Sequence, residues 1–166
     1  LSIVSSSVSP FDVDDAPIVK LLKQKRDDYV LRLNGIYERN LAKRGVELAR
    51  DWARFTGPRE ITLGERTVSA AHVVIATGGK PLLPDVPGAE FGITSDDFFD
   101  LTARPQRVAI VGSGYVAVEF AGIFAALGSE TTLVIRGERV LRHFDAMLGD
   151  AAVRIMKDDG IDVLTQ

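Results

Sequence analysis

The chain has 166 residues, 46% hydrophobic and 26% charged, with 20 basic residues against 23 acidic and a net charge of −3. It contains no cysteine, which excludes a disulfide framework, a thiolate nucleophile and any cysteine-ligated metal, and its two histidines, His72 and His143, lie too far apart in sequence to promise a metal site. The balanced charge excludes the counterion-release footprint of a nucleic-acid binder, and no apolar run approaches the roughly 18 residues that argue for a membrane span.

In chain order, LSIVSSSVSP and the acidic residues after it (1–15) read as a tail or loop. They carry neither an initiator Met nor the basic and apolar regions of a secretory signal, so a processed chain or a fragment is expected. From Pro17 to about Arg44 the residues Leu22, Tyr29, Val30, Leu33, Ile36, Tyr37 and Leu41 recur at helical spacing. They predict one long helix of about 40 Å, with Pro17 in its first turn and Gly45 at its stop. Val46–Leu48, Trp52–Phe55, Ile61–Leu63 and Val68, broken by Gly57-Pro58 and Gly64, predict a small antiparallel meander. His72–Ala76 predicts a buried strand that runs into Thr77-Gly78-Gly79, and the Pro- and Gly-rich stretch 80–92 predicts a linker. Thr94 or Ser95, followed by acids and Phe98, Phe99 and Leu101, predicts a short capped helix.

The informative stretch begins after Pro105. Arg107–Val111 is a β-branched run of the kind buried on both faces of a parallel sheet, and it enters Gly112-Ser113-Gly114-Tyr115-Val116-Ala117, a G-x-G-x-x-A fingerprint. A helix through Phe120, Ala121, Phe124 and Leu127 stops at Gly128, and the strand Thr131–Ile135 closes a βαβ unit. In this context Gly112 permits a tight turn and Gly114 admits a pyrophosphate to the backbone. Ala117 lets the helix pack on the strand, and the helix N-terminus offers N–H groups to the anion. After the second strand stand Arg136, Arg139 and Arg142, with Glu138 the one acid among them. Two guanidiniums flanking a 2′-phosphate favour NADP over NAD. A further helix from Asp145 to Asp159 and a strand Ile161–Leu164 extend the sheet, whose outer edge is expected to be exposed.

These residues resemble the pyridine nucleotide–disulfide oxidoreductases, in particular their glutathione reductase branch. VAIVGSGYVAVEFAGIFAALGSETTLVIRGERVLRHFD resembles the NADPH-binding segment, KRDDYVLRLNGIYERNL the long helix of the FAD domain, and HVVIATGGKPLLPDVPGAEFGITSDDFF the crossover between the two domains. About residues 20–166 are covered. The resemblance implies an incomplete Rossmann-type α/β NADPH domain (80–166, with its crossover) after a partial FAD domain (16–79). It implies that Gly112, Ser113, Gly114, Val116 and Ala117 wrap the NADPH pyrophosphate and that Arg136 and Arg142 hold the 2′-phosphate. Tyr115 would be an aromatic gate over the flavin, Glu119 would serve the nicotinamide side, Thr77 and Gly78 would touch FAD, and Ala53 would match an adenine-side position. Expected partners are NADPH and glutathione disulfide, in a cytoplasmic or organellar homodimer, with no metal, nucleic acid or membrane.

The departures from the family pattern are as informative. The chain has no G-x-G-x-x-G for the flavin, no C-x-x-x-x-C redox pair and no C-terminal His–Glu pair; His72 and His143 read as structural. Three functions stay open: the central piece of an NADPH- and FAD-dependent disulfide reductase, a non-catalytic NADPH-binding module, or a piece of another two-dinucleotide-domain flavoenzyme such as a lipoamide dehydrogenase, mercuric reductase or NADH oxidase.

Overall fold

The computed structural model describes residues 2–5 and 16–165. They comprise β1 (Ser2–Ser5), α1 (Ala16–Lys43), β2 (Ala53–Gly57), β3 (Glu60–Leu63), β4 (Arg66–Ser69), β5 (Ile93–Thr94), β6 (Arg107–Val111), α2 (Tyr115–Ala126), β7 (Glu130–Ile135), α3 (Ala146–Asp158) and β8 (Asp162–Thr165). The chain divides into two compact units, one of residues 26–79 and the other of residues 1–25 with 80–166. No helix among the described residues is long and apolar enough to cross a membrane.

In the unit of residues 26–79, β2, β3 and β4 form an antiparallel meander in that order. Glu38 pairs with Arg50 and Glu47 with Arg66 on its surface. Val46–Leu48 is irregular rather than a strand. The predicted strand His72–Ala76 is also irregular, with Val74 87% exposed. Its residues have the right type, but a strand is held by a neighbour's N–H and C=O groups, and none of the described strands pairs with this segment. The apolar stripe of α1 is likewise largely exposed at Leu22, Tyr29, Val30 and Tyr37.

The second unit is built on a five-stranded sheet of order β5-β1-β6-β7-β8. β6, β7 and β8 are parallel, with Val108 opposite Thr131 and Leu133 opposite Val163. Parallel neighbours require crossovers, and α2 and α3 supply them; α2 packs on β6 and β7, α3 on β8 and α2, so both cover one face. Burial alternates accordingly: Val108 and Ile110 are buried while Ala109 between them is half-buried. The expectation that Arg107–Val111 would be buried on both faces is therefore corrected. The core is Ile110, Leu133, Ala121 and Phe124 with Val140 from the loop after β7. At its rim, buried Ser129 donates its hydroxyl to the Pro105 carbonyl (2.7 Å), and Thr131 donates to the Ser129 carbonyl (3.0 Å).

Two expectations are revised here. Residues 2–5 are not tail: β1 pairs antiparallel with both β5 and β6, while β8, at the outer edge expected to be exposed, has only β7 as a neighbour among the described strands; residues 6–15 lie outside the described residues. The predicted short helix is one 3₁₀ turn, Asp97–Asp100, and its cap runs the other way. The Thr94 N–H and hydroxyl both donate to the Asp97 carboxylate at 2.7 Å. Phe98 of this turn stacks on Phe120 (4.1 Å between centroids) and meets Phe124 edge-on (5.3 Å), fastening the crossover to α2.

Candidate functional site

The site grows from the end of β6. The Gly112 N–H donates to the Val134 carbonyl at 3.0 Å, closing the ladder, and its φ of 152° is one that residues with a side chain rarely adopt. Gly114 then takes the N-cap position of α2, with φ −83° and ψ 174°, and no side chain caps the helix. Its carbonyl accepts from the Ala117 and Val118 N–H groups. Nothing in that backbone conformation demands glycine, and a Cβ built on Gly114 meets no atom within 4 Å. The missing side chain keeps clear a space outside the protein, in front of uncapped N–H groups, which is the geometry that suits an anion. Ala117, 2% exposed, is pressed into the core as the small residue between helix and strand.

Two clefts share Gly112 and Ser113. The smaller, about 360 Å³, is lined by Gly112–Ala117 with Pro81 and Ser95; the larger, about 670 Å³, runs from Pro84 and Val134 to Arg136, Glu138, Arg139 and Arg142. The sheet's parallel register puts the end of β7 beside the end of β6, and that is why the arginines share a cleft with the glycine turn. Arg139 Nε lies 3.3 Å from Asp150 Oδ1 of α3, and Arg142 Nε donates to His143 Nε2 at 3.2 Å.

The structure brings together Gly112, Ser113, Gly114, Tyr115, Val116, Ala117, Arg136 and Arg142. Tyr115 is 61% exposed at the mouth of the smaller cleft. Glu119 follows on α2 but is exposed and lines neither cleft. Thr77, Gly78 and Ala53 belong to the other unit and are exposed, as is His72. Sequence reasoning passed over Arg139 as a cleft residue, although its type and its spacing from Arg136 were visible. It also missed Leu141, whose φ of 55° nothing in its residue type announces.

Comparison with known proteins supplies the lineage. The chain is 53% identical over 152 residues to the glutathione reductase of Yarrowia lipolytica (86% of this chain, 32% of the relative) and 48% identical over 152 residues to that of Schizosaccharomyces pombe (87% and 33%). It therefore spans about a third of the length of these relatives. In three dimensions it resembles the HOCl-induced flavoprotein disulfide reductase RclA from Escherichia coli, with a TM-score of 0.79 at 24% identity over 91% of this chain and 37% of that one. The pyridine nucleotide-disulphide oxidoreductase family model matches residues 3–166. From the βαβ turn to its relatives, the chain belongs to the pyridine nucleotide-disulphide oxidoreductase family.

Proposed function

We propose that this chain carries the NADPH-binding part of an NADPH- and FAD-dependent disulfide reductase of the glutathione reductase kind. The observation that carries the reading is the open space at Gly114, in a cleft that shares Gly112 and Ser113 with the cleft of Arg136, Arg139 and Arg142. The Gly112–Ala117 turn would receive the pyrophosphate on backbone N–H groups. Arg136 and Arg142 would meet the 2′-phosphate, where a charge-assisted hydrogen bond is stronger than a neutral one. Tyr115, exposed at the smaller cleft, would move aside or stack as the nicotinamide enters. NADPH when bound supplies a hydride; these residues supply its binding and orientation. The flavin part of the reading, glutathione disulfide as substrate and a homodimer in the cytoplasm or an organelle rest on the relatives and the family. Glu119 would serve the nicotinamide side only on that footing.

Gly114→Val tests the reading. A Cβ at this position meets nothing within 4 Å, and the branched side chain it carries would fill the space left for the pyrophosphate. The variant is expected to melt at the wild-type temperature without nucleotide and to lose the stabilisation that NADPH gives the wild type. Equal stabilisation of both proteins by NADPH would place the pyrophosphate elsewhere.

A further inference from the structure

The loop between β7 and α3 is held through one peptide group, Val140–Leu141, whose carbonyl and N–H meet different partners just before one strained residue. On one side Val140, 1% exposed, has its carbonyl packed against Gly149 of α3, so closely that a Cβ on Gly149 would come within 2.7 Å of that oxygen. On the other side the Leu141 N–H donates to the Ser113 carbonyl at 2.6 Å, a contact between the arginine loop and the glycine turn. Leu141 itself sits at φ 55°, left-handed backbone that is uncommon for a residue with a side chain. Strain of this kind persists only where surrounding contacts over-determine it, and it clusters at ligand clamps. Arg139 and Arg142 flank Val140 and Leu141, and Arg139 is tied to Asp150 on the same helix as Gly149.

We propose that Gly149, Val140 and Leu141 are positioning residues that clamp the arginine loop to the glycine turn and so fix the distance between the 2′-phosphate and pyrophosphate subsites. The inference rests on the proposed NADPH function and adds to it residues that touch no ligand. The planar Val140–Leu141 peptide fixes the Leu141 N–H opposite the Val140 carbonyl, so a carbonyl held at Gly149 leaves the N–H aimed at Ser113. The left-handed Leu141 turns the chain directly after that peptide, and an extended residue there would send it on to Arg142 in another direction. Gly149 lets α3 approach near enough to hold Val140 in register. A ligand with phosphates at both ends reads the spacing, whereas one lacking the 2′-phosphate reads only the turn.

The test uses the full chain and two readouts. Amide hydrogen exchange at Leu141 reports the clasp without nucleotide, and titration with NADPH and NADH reports its consequence. Gly149→Ala, which drives Val140 outward, and Leu141→Ile, which resists left-handed backbone, are expected to speed exchange at residue 141. Both are also expected to lower NADPH affinity about tenfold while NADH affinity changes little. Leu141→Asn, whose side chain tolerates that backbone and which keeps the N–H, is expected to restore slow exchange and the NADPH preference. A fast-exchanging Leu141 amide in the wild type would overturn the clamp. So would slow exchange lost in Gly149→Ala with the NADPH preference intact. If Gly149→Ala fails to fold, the contrast between Leu141→Ile and Leu141→Asn decides in the same terms. A wild-type chain that binds NADPH no better than NADH, with Leu141 protected, would defeat the proposed function and this inference with it. That result is distinct from failure of the clamp alone.

Discussion

Two of the three cleft arginines have side-chain partners in the protein. Arg142 already donates one N–H to His143, while Arg139 leans on Asp150. Hydrogen bonds to charged groups contribute about 1.5–3 kcal/mol each, so Arg136→Ala is expected to weaken NADPH by about that amount and leave NADH nearly unchanged. Calorimetric titration of both nucleotides checks this; equal weakening would remove Arg136 from the 2′-phosphate subsite. Glu138 lies in the same cleft. On the same reasoning Glu138→Gln is expected to favour NADPH slightly, since it removes a like charge from a phosphate site. At this scale the glycines and arginines were legible in the sequence because residue type and spacing carry their chemistry. Leu141 was not, because its backbone is set by Ser113 and Gly149, both distant in sequence.

Among elements, the βαβ unit was legible almost to the residue: β6, α2 and β7 take their pattern, their turn and their stop from one contiguous stretch. His72–Ala76 and residues 2–5 failed in opposite directions for a single reason. A strand belongs to a pair, so an apolar segment without a neighbour stays irregular and a Ser-rich one beside β5 and β6 becomes β1. The aromatic joint between the 97–100 turn and α2 is the element contact with most at stake. Phe124 is 2% exposed and meets Phe98 edge-on; Phe124→Ala is expected to cost about 3–5 kcal/mol in denaturant unfolding of this unit. Asp97, in the same turn, gives a pH signature. The Thr94 hydroxyl and N–H donate to its carboxylate and hold it below the usual carboxylate range. A carboxyl lowered in the folded state stabilises the fold above its unfolded value and loses that contribution as pH falls through the folded one. Acid unfolding of the wild type should therefore carry a component below the ordinary aspartate range that Asp97→Asn lacks. Superimposable acid profiles would show that the Thr94–Asp97 bonds do not persist in solution.

At the scale of the whole molecule, the absence of cysteine from these 166 residues bears on what the chain is expected to do unaided. A disulfide reductase passes the two electrons of a hydride through a flavin to a cysteine disulfide, and one of the thiolates so formed attacks the substrate disulfide. The chain has no cysteine, so it has no group to attack glutathione disulfide. Thr77, Gly78 and Ala53 are exposed and line neither cleft. His143 is engaged with Arg142, and neither it nor His72 lines either cleft, where general-acid chemistry on a departing thiolate would need a histidine. The expected outcome is binding without turnover. In a mixture of the 166-residue chain, FAD, NADPH and glutathione disulfide, NADPH absorbance should fall no faster than in the same mixture without disulfide. The chain should meanwhile still be stabilised against heat by NADPH. A disulfide-dependent rate that survives repurification of the chain would mean that its own residues reach the substrate by a route other than a thiolate.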